Sequence, residues 1–190
     1  MTKDPNFGYD FRYCNLSDLD LSGIDLWESS FSNTTGWPDQ LPEDFSPKEI
    51  LEAGKDPGLG IRAMHQQGID GTGVGIAIID QALLTGHEQY KDNLMLYERI
   101  HCGDAEATLH GAAVASLAVG KDTGVAPGAK LYYIATTHGH NGDDGRQFDA
   151  SILADCIDRV VEINQELPDG EQIRVISISR GFNEQDEGYD

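Results

Sequence analysis

Hydrophobic residues change their period twice along this chain. Between residues 14 and 33 they recur in fives. Leu16, Leu21, Leu26 and Phe31 hold the centres of successive blocks, and Cys14, Leu19, Ile24 and Ser29 stand two positions earlier. From Trp37 to Asp44 the rhythm stops, because Pro38 and Pro42 oppose regular structure. Ser46-Pro47-Lys48-Glu49 has the form of a capping box with proline at the first helical position. It predicts a short helix that stops at Gly54. A second short helix is expected from about Ile61 to Gln67, ended by Gly68.

Beyond Gly68 the pattern alternates between buried strands and helices. Val74 to Ile79 is an unbroken apolar run with β-branched residues, as expected of a strand covered on both faces. His110 to Val119 is small and apolar, and reads as a buried helix closed by Gly120. Lys130 to Ala135 reads as a strand. Ile152, Leu153, Cys156, Ile157, Val160 and Val161 fall at helical spacing and mark an amphipathic helix. Ile173 to Ile178 reads as a last strand. This order predicts an α/β domain built on a parallel sheet with right-handed crossovers. The chain thus divides into an amino-terminal arm (1–36), a linker with a short helix (37–57) and the α/β domain (58–190).

Charge narrows the functional classes. The 190 residues carry 33 acidic and 13 basic side chains, a net charge of −20. Such a surface repels phosphate backbones and anionic headgroups, so nucleic acid and membrane are not expected partners. The amino terminus has no apolar signal core, and no run approaches the roughly 18 apolar residues of a membrane span. Cys14, Cys102 and Cys156 are odd in number and form no C-x-x-C pair, which argues against a disulfide framework or zinc knuckle. Free thiols without a leader point to the cytoplasm, with secretion by another route left open.

Two residues stand out chemically. Asp80 ends the first strand, and ligands of open parallel sheets bind beyond the carboxyl ends of strands. His110 opens the small-residue helix. A histidine serves as general base near neutral pH, and a carboxylate on its other ring nitrogen fixes the tautomer. Gly111, lacking Cβ, permits close approach beside His110. Ala112, Ala113 and Ala115 let the helix pack against a sheet. His138-Gly139-His140 with Asp143 and Asp144 has metal-ligating residue types, but a solvated loop is the simpler reading, and no metal site is assigned. The glycines of Gly71 to Gly75 precede a strand, so they form a turn and not a phosphate loop.

These segments resemble the subtilisin-like serine proteases, the subtilases. The family's strand-Asp motif, with histidine seven residues on, is similar to Asp80-Gln81-Ala82 and His87. Its His-Gly-Thr-His-Val-Ala-Gly motif is similar to His110-Gly111-Ala112-Ala113-Val114-Ala115-Ser116. Its Gly-Val-Ala-Pro landmark stands at Gly124 to Pro127, and its Ser-x-Gly strand end at Ser179-Arg180-Gly181. The likeness runs from about Gly58 to Gly181. Gln81 and Ala113 depart from the family pattern.

The resemblance implies a three-layer parallel-sheet fold and a serine endopeptidase. Asp80 and His110 would be triad members, and Ser179, Arg180 and Gly181 would bind a peptide or protein substrate by pairing with its backbone. No cofactor is implied beyond the calcium some relatives hold, for which no specific site is seen. The chain order of such enzymes is Asp, His, Ser. No Gly-Thr-Ser-like segment occurs here, and Asn183 stands too near Gly181 to be the family's oxyanion asparagine. The serine is therefore expected beyond these residues, and the 190 residues alone, read as a fragment, are expected to be inactive. The alternative is an inactive protease-like binding or scaffold protein. The fives of the arm resemble the pentapeptide repeat, whose fold is a four-sided β-helix. One turn cannot bury its own face, so the arm is expected to need the following domain or a partner. An irregular acidic arm is the other reading.

Overall fold

The computed structural model describes residues 3–5, 8–56, 58–137, 139–142 and 145–181. They form two units, Met1–Gly60 and Ile61–Asp190.

In the first unit the five-residue rhythm becomes burial. Leu16, Leu21 and Leu26 are buried, and the series starts one block earlier, at Phe11. The positions two before them are less covered: Cys14 and Ile24 are half-buried and Leu19 is exposed. Strand β1 (Tyr9–Asp10) pairs in parallel with β2 (Ser29–Ser30), Tyr9 opposite Ser29, so the chain returns beside itself after four blocks. The polar positions explain the bends. Asp10, Asn15, Asp20 and Asp25 each accept a hydrogen bond from the backbone N–H two residues on, at 3.0–3.1 Å. This is the turn that Asn and Asp side chains favour. Much of the arm's acidity therefore shapes its backbone.

The segment read as a linker helps to build the same core. Trp37, Leu41, Phe45 and Ile50 join the Phe11–Leu26 cluster, and Trp37 meets Phe31 and Phe45 edge-on at 5.3 and 5.5 Å. Helix α1 (Pro47–Gly54) supplies Ile50, and Ser46 caps it by accepting from Glu49 N–H. The expected need for an outside cover is met, at this cluster, by residues of the arm's own unit.

The second unit begins with α2 (Ile61–Gln66) and then β3 (Gly75–Asp80), every residue of which is buried. It continues through β4 (Leu94–Arg99), α3 (Leu109–Val119), β5 (Lys130–Ala135), the hairpin β6 (Gly139–Gly142) and β7 (Gly145–Phe148), α4 (Ala150–Glu166) and β8 (Ile173–Ile178). The sheet order is β4-β5-β3-β8, parallel throughout. Alternate residues of a strand face opposite ways. Ile76, Ile78, Leu131 and Tyr133 pack toward Ala115 and Val119 of α3. Ala77, Ile79, Tyr132 and Ile134 pack toward Cys156, Val160 and Ile163 of α4. The result is helix, sheet, helix: the α/β three-layer arrangement expected of this stretch.

Strand β4 and the hairpin are additions to the sequence-based elements. β4 lies at a sheet edge, half-buried, with exposed Met95 and a register shift between Leu94 and Leu96. Its alternation is too blurred to read as a strand. The other strands and helices of this unit fall within a few residues of their expected limits. No described helix is long and apolar enough to cross a membrane.

Candidate active site

The site starts where β3 ends. Asp80 is 1% exposed, and its own carbonyl accepts from Thr136 N–H at 2.8 Å, tying it to the end of β5. Its Oδ1 accepts from Gln81 N–H at 2.6 Å and from His110 Nδ1–H at 2.8 Å. Its Oδ2 is buried and has no hydrogen-bond partner among the described residues. A carboxylate so enclosed is costly unless a cation or donor faces it. The imidazole of His110 is the facing group.

His110 sits in the first turn of α3. Thr108 caps that helix, its Oγ1 accepting from Gly111 N–H at 3.1 Å, and its own N–H donates to Ala82 O at 2.9 Å. The loop after Asp80 and the start of α3 are thereby laced together. Gly111 makes the lacing close. A Cβ there would lie 2.8 Å from the Tyr133 hydroxyl and 2.9 and 3.0 Å from the carbonyl oxygens of Gln81 and Ala82. No other residue fits this contact without displacing backbone. Its absence of a side chain is what lets His110 reach Asp80.

The electrostatic arrangement follows. Nδ1 is engaged by a buried carboxylate, while the ring is half exposed and Nε2 has no protein partner among the described residues. A carboxylate on Nδ1 selects the tautomer whose Nε2 carries a lone pair and stabilises the imidazolium once a proton arrives. The pair can therefore take a proton from a group brought to Nε2.

The remaining sequence candidates take different places. Gly124 to Pro127 closes α3 against the sheet. Val125 and Ala126 N–H donate to Leu117 and Ala118 O at 2.9 Å, and Asn93 donates to Pro127 and Ala129 O at 2.8 Å. A Cβ on Gly124 would strike the Gly120 backbone at 2.4 Å. This landmark is scaffold. His87 is scaffold too, its ring stacked on Tyr90 at 5.2 Å. Ser179, Arg180 and Gly181 leave the end of β8, whose Ile178 pairs with Ile79, so they emerge beside Asp80 at the same end of the sheet. Ser179 and Gly181 are exposed and Arg180 is half-buried. β8 is an edge strand among the described residues. The placement of Asn183, His138, Asp143 and Asp144, and of the acidic tail Glu184–Asp190, lies outside the described residues. Among the described residues no group of three His, Cys, Asp or Glu is placed to hold a metal.

Sequence reasoning missed two supports. Thr108 was readable as a helix cap, directly before a helix opening with Leu109. Tyr133 was not, because only the folded chain brings its hydroxyl to Gln81 O, at 2.6 Å.

A family model described as the subtilase family, Peptidase_S8, matches residues 71–190. The chain belongs to the subtilase family. The match takes in all four landmarks and supports a hydrolase that acts as a serine peptidase. It begins at Gly71 and leaves the amino-terminal unit outside. No curated protein matches the chain.

Proposed function

We propose that this subtilase domain serves a subtilisin-type endopeptidase in which Asp80 orients His110 as general base. The observation that carries the reading is the 2.8 Å contact between a fully buried carboxylate and the Nδ1 of a half-exposed imidazole. His110 Nε2 would take the proton of a serine hydroxyl as it attacks the scissile carbonyl, then return it to the leaving amine. No Gly-Thr-Ser-like segment marks that serine in this sequence. Ser179, Arg180 and Gly181 would hold an extended peptide beside the pair, since β8 offers backbone groups along its edge. The amino-terminal unit, with its five-residue turns, would be a β-helix-like appendage with no part in bond cleavage.

The test is labelling of the complete gene product with a fluorophosphonate probe. One serine should react. Asp80→Asn should lower peptide hydrolysis by about 10⁴, as tautomer control is lost in such triads, and His110→Ala should cost about 10⁶. A product that labels at no serine and still binds a partner through the arm would replace this reading with a non-catalytic one.

A further inference from the structure

Three buried or half-buried tyrosines converge on the loop that follows Asp80. The Tyr133 hydroxyl donates to Gln81 O at 2.6 Å, and the Tyr90 hydroxyl donates to Leu84 O at 2.9 Å. The Tyr97 oxygen accepts from Leu83 N–H at 3.4 Å, and its ring lies 5.9 Å from that of Tyr133. Tyr133 and Tyr90 are fully buried. Burial pushes the Tyr90 hydroxyl up to about 12, and it pushes Tyr133 up as well, with the nearby Asp80 charge adding to the effect. Both therefore stay neutral donors at any physiological pH.

The three contacts are not equivalent. Tyr90 holds the far end of the loop, four residues beyond Asp80. Tyr133 holds the carbonyl of Gln81, and the N–H of that same residue donates to Asp80 Oδ1 at 2.6 Å. It also lies 2.8 Å from the point where a Cβ on Gly111 would be. The hydroxyl thus touches both partners of the pair at one remove: the peptide that grips the Asp80 carboxylate and the helix turn that carries His110. The middle of the loop is held by other means, since Ala82 and Leu83 are buried and Ala82 O accepts from Thr108 N–H at 2.9 Å.

We infer that Tyr133 is a positioning residue, which fixes the Asp80 carboxylate against His110 Nδ1 through the Gln81 peptide and the Gly111 turn. This inference rests on the reading of Asp80 and His110 as a working pair. It assigns a share of the pair's geometry to β5 of the sheet, beyond what the loop after Asp80 supplies. The consequence is preorganisation: a misplaced orienting group costs rate even where the fold is intact.

The test uses the complete gene product and needs no activity. The His110 Nδ1–H proton is followed by nuclear magnetic resonance in the wild type, in Tyr133→Phe and in Tyr90→Phe. The two variants each delete one buried hydroxyl donated to a carbonyl of the same loop, so their stability losses should match. In the wild type the Nδ1–H resonance should be sharp and protected. Tyr133→Phe should raise its exchange with water about tenfold, the change expected when one buried hydrogen bond is lost. Tyr90→Phe should leave it unchanged. Equal effects of the two variants, or none from Tyr133→Phe, would overturn the inference. If the wild type shows no protected His110 Nδ1–H, the pair itself is at fault and the proposed function falls first. Should Tyr133→Phe fail to fold, the wild-type Tyr133 hydroxyl proton decides. It should exchange slowly and show proximity to the Gly111 α-protons, and its absence would count against the role.

Discussion

The two helices that cover the sheet solve one packing problem with opposite side chains. α4 buries Ile152, Cys156, Val160 and Ile163 and turns polar residues outward. α3 buries Gly111, Ala115 and Val119, and even its exposed side carries Leu109 and Leu117. α4 is held by bulk, spread over many weak contacts. α3 is held by fit at its first turn, where the backbone of Gly111 meets two carbonyls and a hydroxyl. The helix that carries the proposed general base is the one whose position depends on an atom-sized gap. A general base must be placed to within a fraction of an ångström, and small residues allow that where large ones would average over alternatives.

The sharpest way to break this comparison is to fill the gap. Gly111→Ala adds one methyl against backbone oxygens that cannot turn away. We expect a loss of about 3 kcal/mol, the upper part of the range for overpacking, read as a lower urea midpoint. We also expect the His110 Nδ1–H signature to disappear, because α3 must back away from the loop. A variant with wild-type stability and an intact signature would show that the gap is not what sets the helix.

How far the sequence reaches follows from the same contrast. The face of α4 is legible because its apolar residues recur at helical spacing over a polar background. The face of α3 is not, since the helix is apolar nearly all round; only the His-Gly pair at its start hints at which side meets the sheet. Asp80 is legible as a strand-end carboxylate because β3 is a continuous apolar run. Edge strand β4 is not, because a half-exposed strand with a register shift keeps no clean alternation. The tyrosine contacts are beyond any local pattern. Tyr133 reads as one more apolar residue of β5, and its hydroxyl partner lies 52 residues earlier. In the amino-terminal unit the fives are legible, while the part played by Asp20 and Asp25 in turning the backbone emerges only with the hydrogen bonds.

A milder challenge addresses α4. Val160 is 2% exposed and packs with Ala77, Ile134 and Ile163. Val160→Ala removes two methyl groups from that face and should cost about 2 kcal/mol, by transfer and cavity terms together. Unfolding by urea measures it. The His110 signature should remain as in the wild type, since this face of the sheet is remote from the Gly111 contact. A change in that signature would mean that the two faces are coupled through the sheet, and the division drawn between them would fail.

The smallest effect concerns what α4 adds beyond bulk. Arg159 meets Glu98 of β4 through two hydrogen bonds, Nε to Oε2 at 2.7 Å and Nη2 to Oε1 at 2.8 Å, and also reaches Glu162 at 3.0 Å. The guanidinium holds the Glu98 carboxyl below the ordinary glutamate range, by hydrogen bonding first and by charge second. Both side chains remain about a third exposed, so solvent screens the pair and its contribution near neutral pH is small. The sign is fixed by the direction of the shift. A carboxyl depressed in the folded state contributes fully above its unfolded value, about 4.3, and loses that contribution as pH falls through the folded value. Arg159→Ala should therefore be less stable than wild type at pH 7, and the gap should close in acid and shrink in high salt. A cycle with Glu98→Gln isolates the pair from the loss of the arginine stem. A coupling near zero at pH 7 would mean that the edge strand is held to α4 by apolar contact alone. The directional anchoring of α4 to the sheet would then fall to Asn164, whose Oδ1 accepts from Ile173 N–H of β8 at 2.6 Å and whose amide donates to Ile173 O at 3.3 Å.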